Sequence, residues 1–164
     1  MKIKNLLFFF TLISVFYTVS GQEEFSKNQS LKFKQYSLNE GLSQSSVLCI
    51  LQDSKGFIWF GTRDGLNKYD GHTFKSYRYN YKDKNSISNS FIKTLLEDEN
   101  GNIWIGTNNG LNKYLPNEDH FERFTQTGEE NSLINYEIWS LASIENFLWI
   151  GTNNGLEKMN IITN

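Results

Sequence analysis

The sequence predicts an all-β chain: a β-propeller piece of about three four-stranded blades, the third incomplete, from a larger ring. Three observations carry this. An eight-residue string recurs at a fixed step, each copy sits among β-branched and aromatic runs, and paired turn signals cut every unit into short strands. "WFGTRDGL" at Trp59–Leu66 is followed by "WIGTNNGL" at Trp104–Leu111 and again at Trp149–Leu156. Successive tryptophans lie 45 residues apart, and Gly61, Gly106 and Gly151 keep that step, as do Gly65, Gly110 and Gly155. A period near 45 suits either four-stranded blades or helical HEAT and armadillo units. The units carry no amphipathic helical pattern, so strands are chosen.

The first unit sets the layout. "SVLCILQD" (Ser46–Asp53) is a nearly continuous apolar run, as expected of an innermost strand buried on both faces. "DSKG" (Asp53–Gly56) reads as a tight turn, because Asp can accept from backbone amides ahead of it and Gly tolerates positive φ. "FIWFGT" (Phe57–Thr62) is the second strand, and Asp64-Gly65 suits a type I′ hairpin turn. "LNKYD" (Leu66–Asp70) is the third strand, and "TFKSYRY" (Thr73–Tyr79) alternates as a solvent-facing outer strand should.

The second unit repeats this with "SFIKTLLED", "DENG", Asn109-Gly110 and "LNKY"; its outer strand carries Phe121 and Phe124 after the insertion "LPNEDH". The third unit lacks the Asp and Gly of the first turn and is one residue shorter there, which predicts a tighter turn, and it has no outer strand. "FKQYS" (Phe33–Ser37) has the aromatic spacing of "FKSY" and "FERF". It reads as an outer strand whose inner partners lie elsewhere, able to complete a final blade and close a ring. The domain reading is 1–21 leader, 22–30 extension, 31–43 ring-closing outer strand and link, 44–81 blade 1, 82–127 blade 2 and 128–164 blade 3.

Lys2 and Lys4 precede an apolar stretch from Leu6 to Val19, then Ser20, Gly21 and "QEE". The stretch is shorter than the roughly 20 residues a spanning helix needs, so it reads as a secretory signal peptide cut after Gly21 rather than as a membrane anchor. The formal charge of −2 is close to balance and gives no footprint for nucleic acid. Cys49 is the single cysteine, so no internal disulfide forms, and a buried inert thiol is expected.

The chemistry-bearing candidates favour structure. The Trp of each repeat is expected to pack between blades, with a sugar-stacking platform as the functional alternative. The Thr after it is expected to bond across the next turn. "DSKG" and "DENG" lack the alternating oxygen ligands and terminal Glu of a calcium loop. "GTNNG" lacks the Lys of a phosphate loop and precedes a strand. His72 and His120 are surface histidines, and Glu129 and Glu130 are solvated loop residues. No catalytic, cofactor-binding or metal-ligating residue is assigned, and no cofactor is expected.

The combined pattern D-x-x-G-x-x-W-x-G-T-x-x-G-L, with the entry "YSLNEGLSQSSVLCILQD", resembles the two-component regulator propeller repeat. That resemblance implies a periplasmic sensor region of a hybrid histidine kinase of the kind found in Bacteroidetes-like bacteria. It also implies an inner-membrane full-length protein and an oligosaccharide or other small ligand, such as a polysaccharide breakdown product. The phosphoacceptor residues of such kinases lie in later domains, and neither His72 nor His120 matches them.

Three blades are too few to close a ring of four to eight. The expected partners are therefore further blades of the same chain, or a second copy giving about six blades. The competing functions are a secreted glycan-active propeller enzyme and a structural interaction propeller.

Overall fold

The computed structural model describes residues 31–129 and 132–162. The leader expected at 1–21 lies outside the described residues. No helix among the described residues is long and apolar enough to cross a membrane. The chain divides into two units, Met1–Lys34 and Gln35–Asn164, and the second holds every strand among the described residues.

Three antiparallel sheets follow in order. The first comprises β1 (Val47–Gln52), β2 (Ile58–Thr62), β3 (Gly65–Tyr69) and β4 (Phe74–Tyr77). The second comprises β5 (Ile92–Glu97), β6 (Ile103–Thr107), β7 (Gly110–Leu115) and β8 (His120–Phe124). The third has β9 (Ile138–Ile144), β10 (Phe147–Thr152) and β11 (Gly155–Asn160), with no fourth strand among the described residues. Each sheet is a simple meander, with sequential neighbours paired. The sheets are the blades, and the core lies between them.

Two apolar clusters mark the two blade interfaces. Trp59, Leu66, Ile92, Ile105, Tyr114 and Phe121 form the first, and Trp104, Leu111, Ile138, Leu148 and Ile150 belong to the second. The tryptophan is the central piece in each: Trp59 and Trp104 are fully buried, while Trp149, on which no further blade packs among the described residues, is only half-buried. Packing between blades is thus the role of this residue wherever a following blade exists.

The glycine two residues later has a steric reason. A Cβ at Gly61 would stand 2.6 Å from Ile92 Cγ2, and one at Gly106 would stand 2.7 Å from Ile138 Cγ2. The β-branched residue opening each inner strand inserts over the glycine of the preceding blade. Such close approach requires the missing side chain.

The hairpin after the glycine differs from the expected type I′ turn. Arg63 and Asp64 are the two loop residues, and neither has positive φ; Gly65 does, at 126°. Type I′ needs positive φ at both central positions. The alternative is fixed by Thr62, whose hydroxyl accepts from the Asp64 amide at 3.1 Å and donates to the Gly65 carbonyl at 2.8 Å. That rotates the Gly65 N–H outward, where it donates to the Ser90 carbonyl of the next blade at 2.7 Å. Gly110 does the same to Tyr136 at 2.6 Å.

Blade 3 has the tighter first turn expected of it. Ile144 pairs directly with Phe147, and Glu145 takes φ 54° in the two-residue loop. The stretch Phe33–Ser37 departs from expectation, since residues 31–37 form no strand. A strand needs a paired neighbour to satisfy its backbone groups, and this segment belongs to none of the three sheets. In sequence it runs into a 3₁₀ turn at Leu38–Glu40, capped by Ser37 and Glu40.

Candidate functional site

Each complete blade is locked by one carboxylate. Asp53 Oδ1 accepts from the amides of Lys55 and Phe57 at 3.1 and 2.9 Å, while its Oδ2 accepts the Trp59 indole N–H at 2.8 Å. Asp98 repeats the set with Asn100, Asn102 and Trp104. Burial pushes the Asp98 carboxyl upward, but the bonds from Trp104 and Asn102 prevail and hold it below its ordinary value. The Asp was expected to close the turn. Its second task is to fix the indole that the next blade packs on, six residues along the same turn and strand, which the constant Asp-to-Trp spacing of the repeat carries.

A second network was hidden in "LNKY". Asn67 and Asn112 are fully buried, accept from the amides of Ser43 and Ser88 at 2.8 Å, and donate to those serines' hydroxyls. The serines also bond Thr62 and Thr107. The entry link is thereby tied to its own blade. The signal was available as a Ser at the same offset before both Asn residues. In blade 3 Glu157 stands at this position and accepts from the amides of Ile134 and Asn135.

The insertion loop contributes an unexpected residue. Asp119, at φ 57°, accepts from the hydroxyls of Tyr77 at 2.7 Å and Tyr114 at 2.8 Å and pairs with Lys75. Burial pushes it up; the bonds from Lys75, Tyr77 and Tyr114 outweigh this and bring it down to about 2. Burial and the same carboxylate push Tyr114 up to about 12 and raise Tyr77. Asp119 therefore staples the outer strand of blade 1 to β7 of blade 2. Its folded value lies below the ordinary 3.8, so its contribution is present above about pH 4 and is lost as pH falls through 3.8 towards 2. Acid titration followed by circular dichroism will show this loss, and Asp119→Asn will flatten the curve between about pH 4 and pH 2.

The inner strands carry the most ligand-like feature. Each contains a bulge whose extra residue is Leu48, Lys93 or Trp139, between register partners Val47/Cys49, Ile92/Thr94 and Ile138/Ser140. Bulges re-aim side chains, often beside binding sites. At the blade 2–3 step two of these residues meet. Lys93 Nζ lies 3.6 Å from the Trp139 ring centroid and 3.3 Å from Glu137 Oε1. The lysine side chain is only 7% exposed, whereas Trp139 remains 54% exposed. Asn153 Nδ2 donates to the other Glu137 oxygen. An indole face held in place by a buried, neutralised cation is a rigid stacking platform beside hydrogen-bonding groups.

The residues weighed from sequence lie apart. His72 sits in the exposed β3–β4 loop, His120 opens β8, and Glu129 is exposed; Glu130 lies outside the described residues. No group of three or more His, Cys, Asp or Glu could hold a metal among the described residues. Cys49 packs against the first core cluster, and burial pushes its thiol up to about 11, so it stays protonated and unreactive near neutrality.

Comparison with known proteins places this geometry. The family described as two component regulator propeller matches residues 41–64 and 86–109, the entry link through second strand of blades 1 and 2. Histidine kinase P4 of Formosa agariphila is 56% identical over 62 residues, covering 38% of this chain and 4% of that protein. The extracellular domain named for a hybrid two-component system of B. thetaiotaomicron superposes with TM-score 0.73 at 32% identity, over 79% of this chain and 19% of that one. Another from the same organism, named for a one-component system, gives TM-score 0.62 at 25% identity, over 79% and 17%. The chain therefore spans less than a fifth of the length of these relatives.

Proposed function

We propose, from the premise that this chain carries two-component regulator propeller repeats, that it belongs to the ligand-sensing propeller of a hybrid two-component histidine kinase. The observation that carries this reading is the 32% identity over 79% of the chain with the extracellular domain of such a system. The sensor region is exported to the periplasm, the full-length protein sits in the inner membrane, and the kinase lies beyond this segment. The ligand is an oligosaccharide, of the kind released from polysaccharides. The Trp139 face supports that choice, since an indole presents a flat apolar surface to a sugar ring, and the Lys93 that lies against it is paired with Glu137, which in turn accepts from Asn153.

The test is thermal denaturation of the full chain against a panel of neutral and acidic oligosaccharides. At least one sugar will raise Tm in the wild-type chain and fail to do so in Trp139→Ala. A panel that leaves the wild-type Tm unmoved overturns the ligand assignment.

A further inference from the structure

Successive blades present nearly the same apolar surface to one another. Ile92 seats on Gly61 as Ile138 seats on Gly106, and Trp59 and Trp104 are buried in equivalent places. Those contacts do not tell blade 2 from blade 3 as the follower of blade 1. Units this alike are prone to dock in the wrong order, a characteristic failure of repeat proteins. The polar contacts across the two steps do differ, and they differ in charge.

At the step from blade 1 to blade 2, Lys75 pairs with Asp119, and the Tyr77 hydroxyl donates to the same carboxylate at 2.7 Å. The Ser54 amide and hydroxyl donate to Glu97 at 2.8 and 2.6 Å. At the step from blade 2 to blade 3 the residues at these places are exchanged. Lys75 gives way to Glu122 and Tyr77 to Phe124 by the register of the outer strands. Ser54 gives way to Glu99 and Glu97 to Ser143, the same two residue types on opposite sides. Ser143 Oγ is buried without a hydrogen-bond partner among the described residues, so what this position supplies is the lack of a second carboxylate near Glu99. At the start of the inner strands the exchange runs from apolar to ionic. Leu48 and Phe91 hold the places that Lys93 and Glu137 hold one step later, and those two pair at 3.3 Å with the lysine side chain largely buried.

We propose that these contacts form a recognition code between blade faces, which makes blade 2 rather than blade 3 the partner of blade 1. Docking blade 3 directly on blade 1 would set Leu48 against Glu137, leave that carboxylate without its cation and leave Lys75 without Asp119. Docking blade 2 on the blade 2 of another copy would set Glu99 against Glu97, Glu122 against Asp119 and Lys93 against Phe91. Like charges then meet, and an ammonium is buried unpaired, which is strongly unfavourable. Selectivity among similar partners rests on such mismatches as much as on good contacts. Stability alone does not account for the Lys93–Glu137 pair, because apolar residues often replace a buried ion pair without loss, whereas removing one partner is costly. Both steps lie inside the described row, and the proposal is independent of the sensory reading.

Disulfide trapping in the full chain tests this. In a Cys49→Ala background, Asp64→Cys with Ser90→Cys reports correct docking of blade 1 on blade 2, where the Gly65 amide reaches the Ser90 carbonyl at 2.7 Å. Asp64→Cys with Tyr136→Cys reports blade 1 docked on blade 3, because Tyr136 holds the place of Ser90 one step later. Refolding from urea in a glutathione buffer will give the first disulfide and little of the second. Adding Lys93→Leu and Glu137→Phe, which makes the second step like the first, will raise the second disulfide severalfold. The urea midpoint, lowered by Lys93→Leu alone, will return when Glu137→Phe is added. Lys93→Met with Glu137→Gln, closer in volume, will also raise the misdocked disulfide, and it decides the matter should the larger pair fail to fold. Misdocked disulfide that stays at its original level in both double variants overturns the proposal. So does misdocked disulfide as abundant as the correct one while the ion pair is intact.

Discussion

Trp104→Ala will remove the cooperative unfolding transition of the chain, or shift it to far lower denaturant, when followed by circular dichroism in urea. The indole is fully buried between blades 2 and 3 and closes on Phe124 at 5.7 Å. Truncating a buried Trp costs about 3–5 kcal/mol. The same change also strips Asp98 Oδ2 of its indole donor at 2.8 Å, and a buried acceptor left unmatched adds to the loss. Whole-domain stabilities are about 5–15 kcal/mol, so this one change takes a large share. Trp149→Ala is the control. Its ring is half-buried and its turn has no Asp, so the shift will be distinctly smaller. Equal shifts for the two would sink the claim that the tryptophan works through the following blade.

Gly106→Ala will lower the urea midpoint by an amount equivalent to about 1–3 kcal/mol, although it adds a single methyl group. The added Cβ would stand 2.5 Å from Thr94 Cγ2 and 2.7 Å from Ile138 Cγ2. Both neighbours are β-branched and held at χ1, so neither yields without moving backbone. Combining it with Ile138→Ala, which vacates the slot, will give a double mutant more stable than the sum of the two losses. Strict additivity would show that the glycine is not kept by the neighbouring blade. Gly151→Ala meets chiefly the Ser140 hydroxyl, which can rotate, so it will be milder.

Much of the fold was legible because it is written three times. Period, strand composition and turn residues are local properties, and repetition separates them from accident. The four-stranded antiparallel units, the tighter turn of blade 3 and the packing role of the tryptophans all followed from that. Three features did not. The turn at Arg63–Asp64 was misread because an Asp-Gly pair serves more than one turn, and the choice fell to the Thr62 hydroxyl. The Asp119 staple was unreadable because its partners Lys75 and Tyr77 lie more than 40 residues away. The Lys93–Trp139 platform joins two units that differ from each other there, so the repeat gave no hint of it.

The sequence by itself determined the architecture of the unit: strand, turn and strand at a step of 45 residues, with the residues that let one sheet cover the next. It could do so because pairing along a meander depends on neighbours in sequence. Only the tertiary structure decided what the unit faces. It showed that the glycine serves the following blade, that Asp119 ties blade 1 to blade 2, and that Phe33–Ser37 joins none of the sheets. Those outcomes depend on contacts between distant segments, where a side chain's role is set by the surface that meets it.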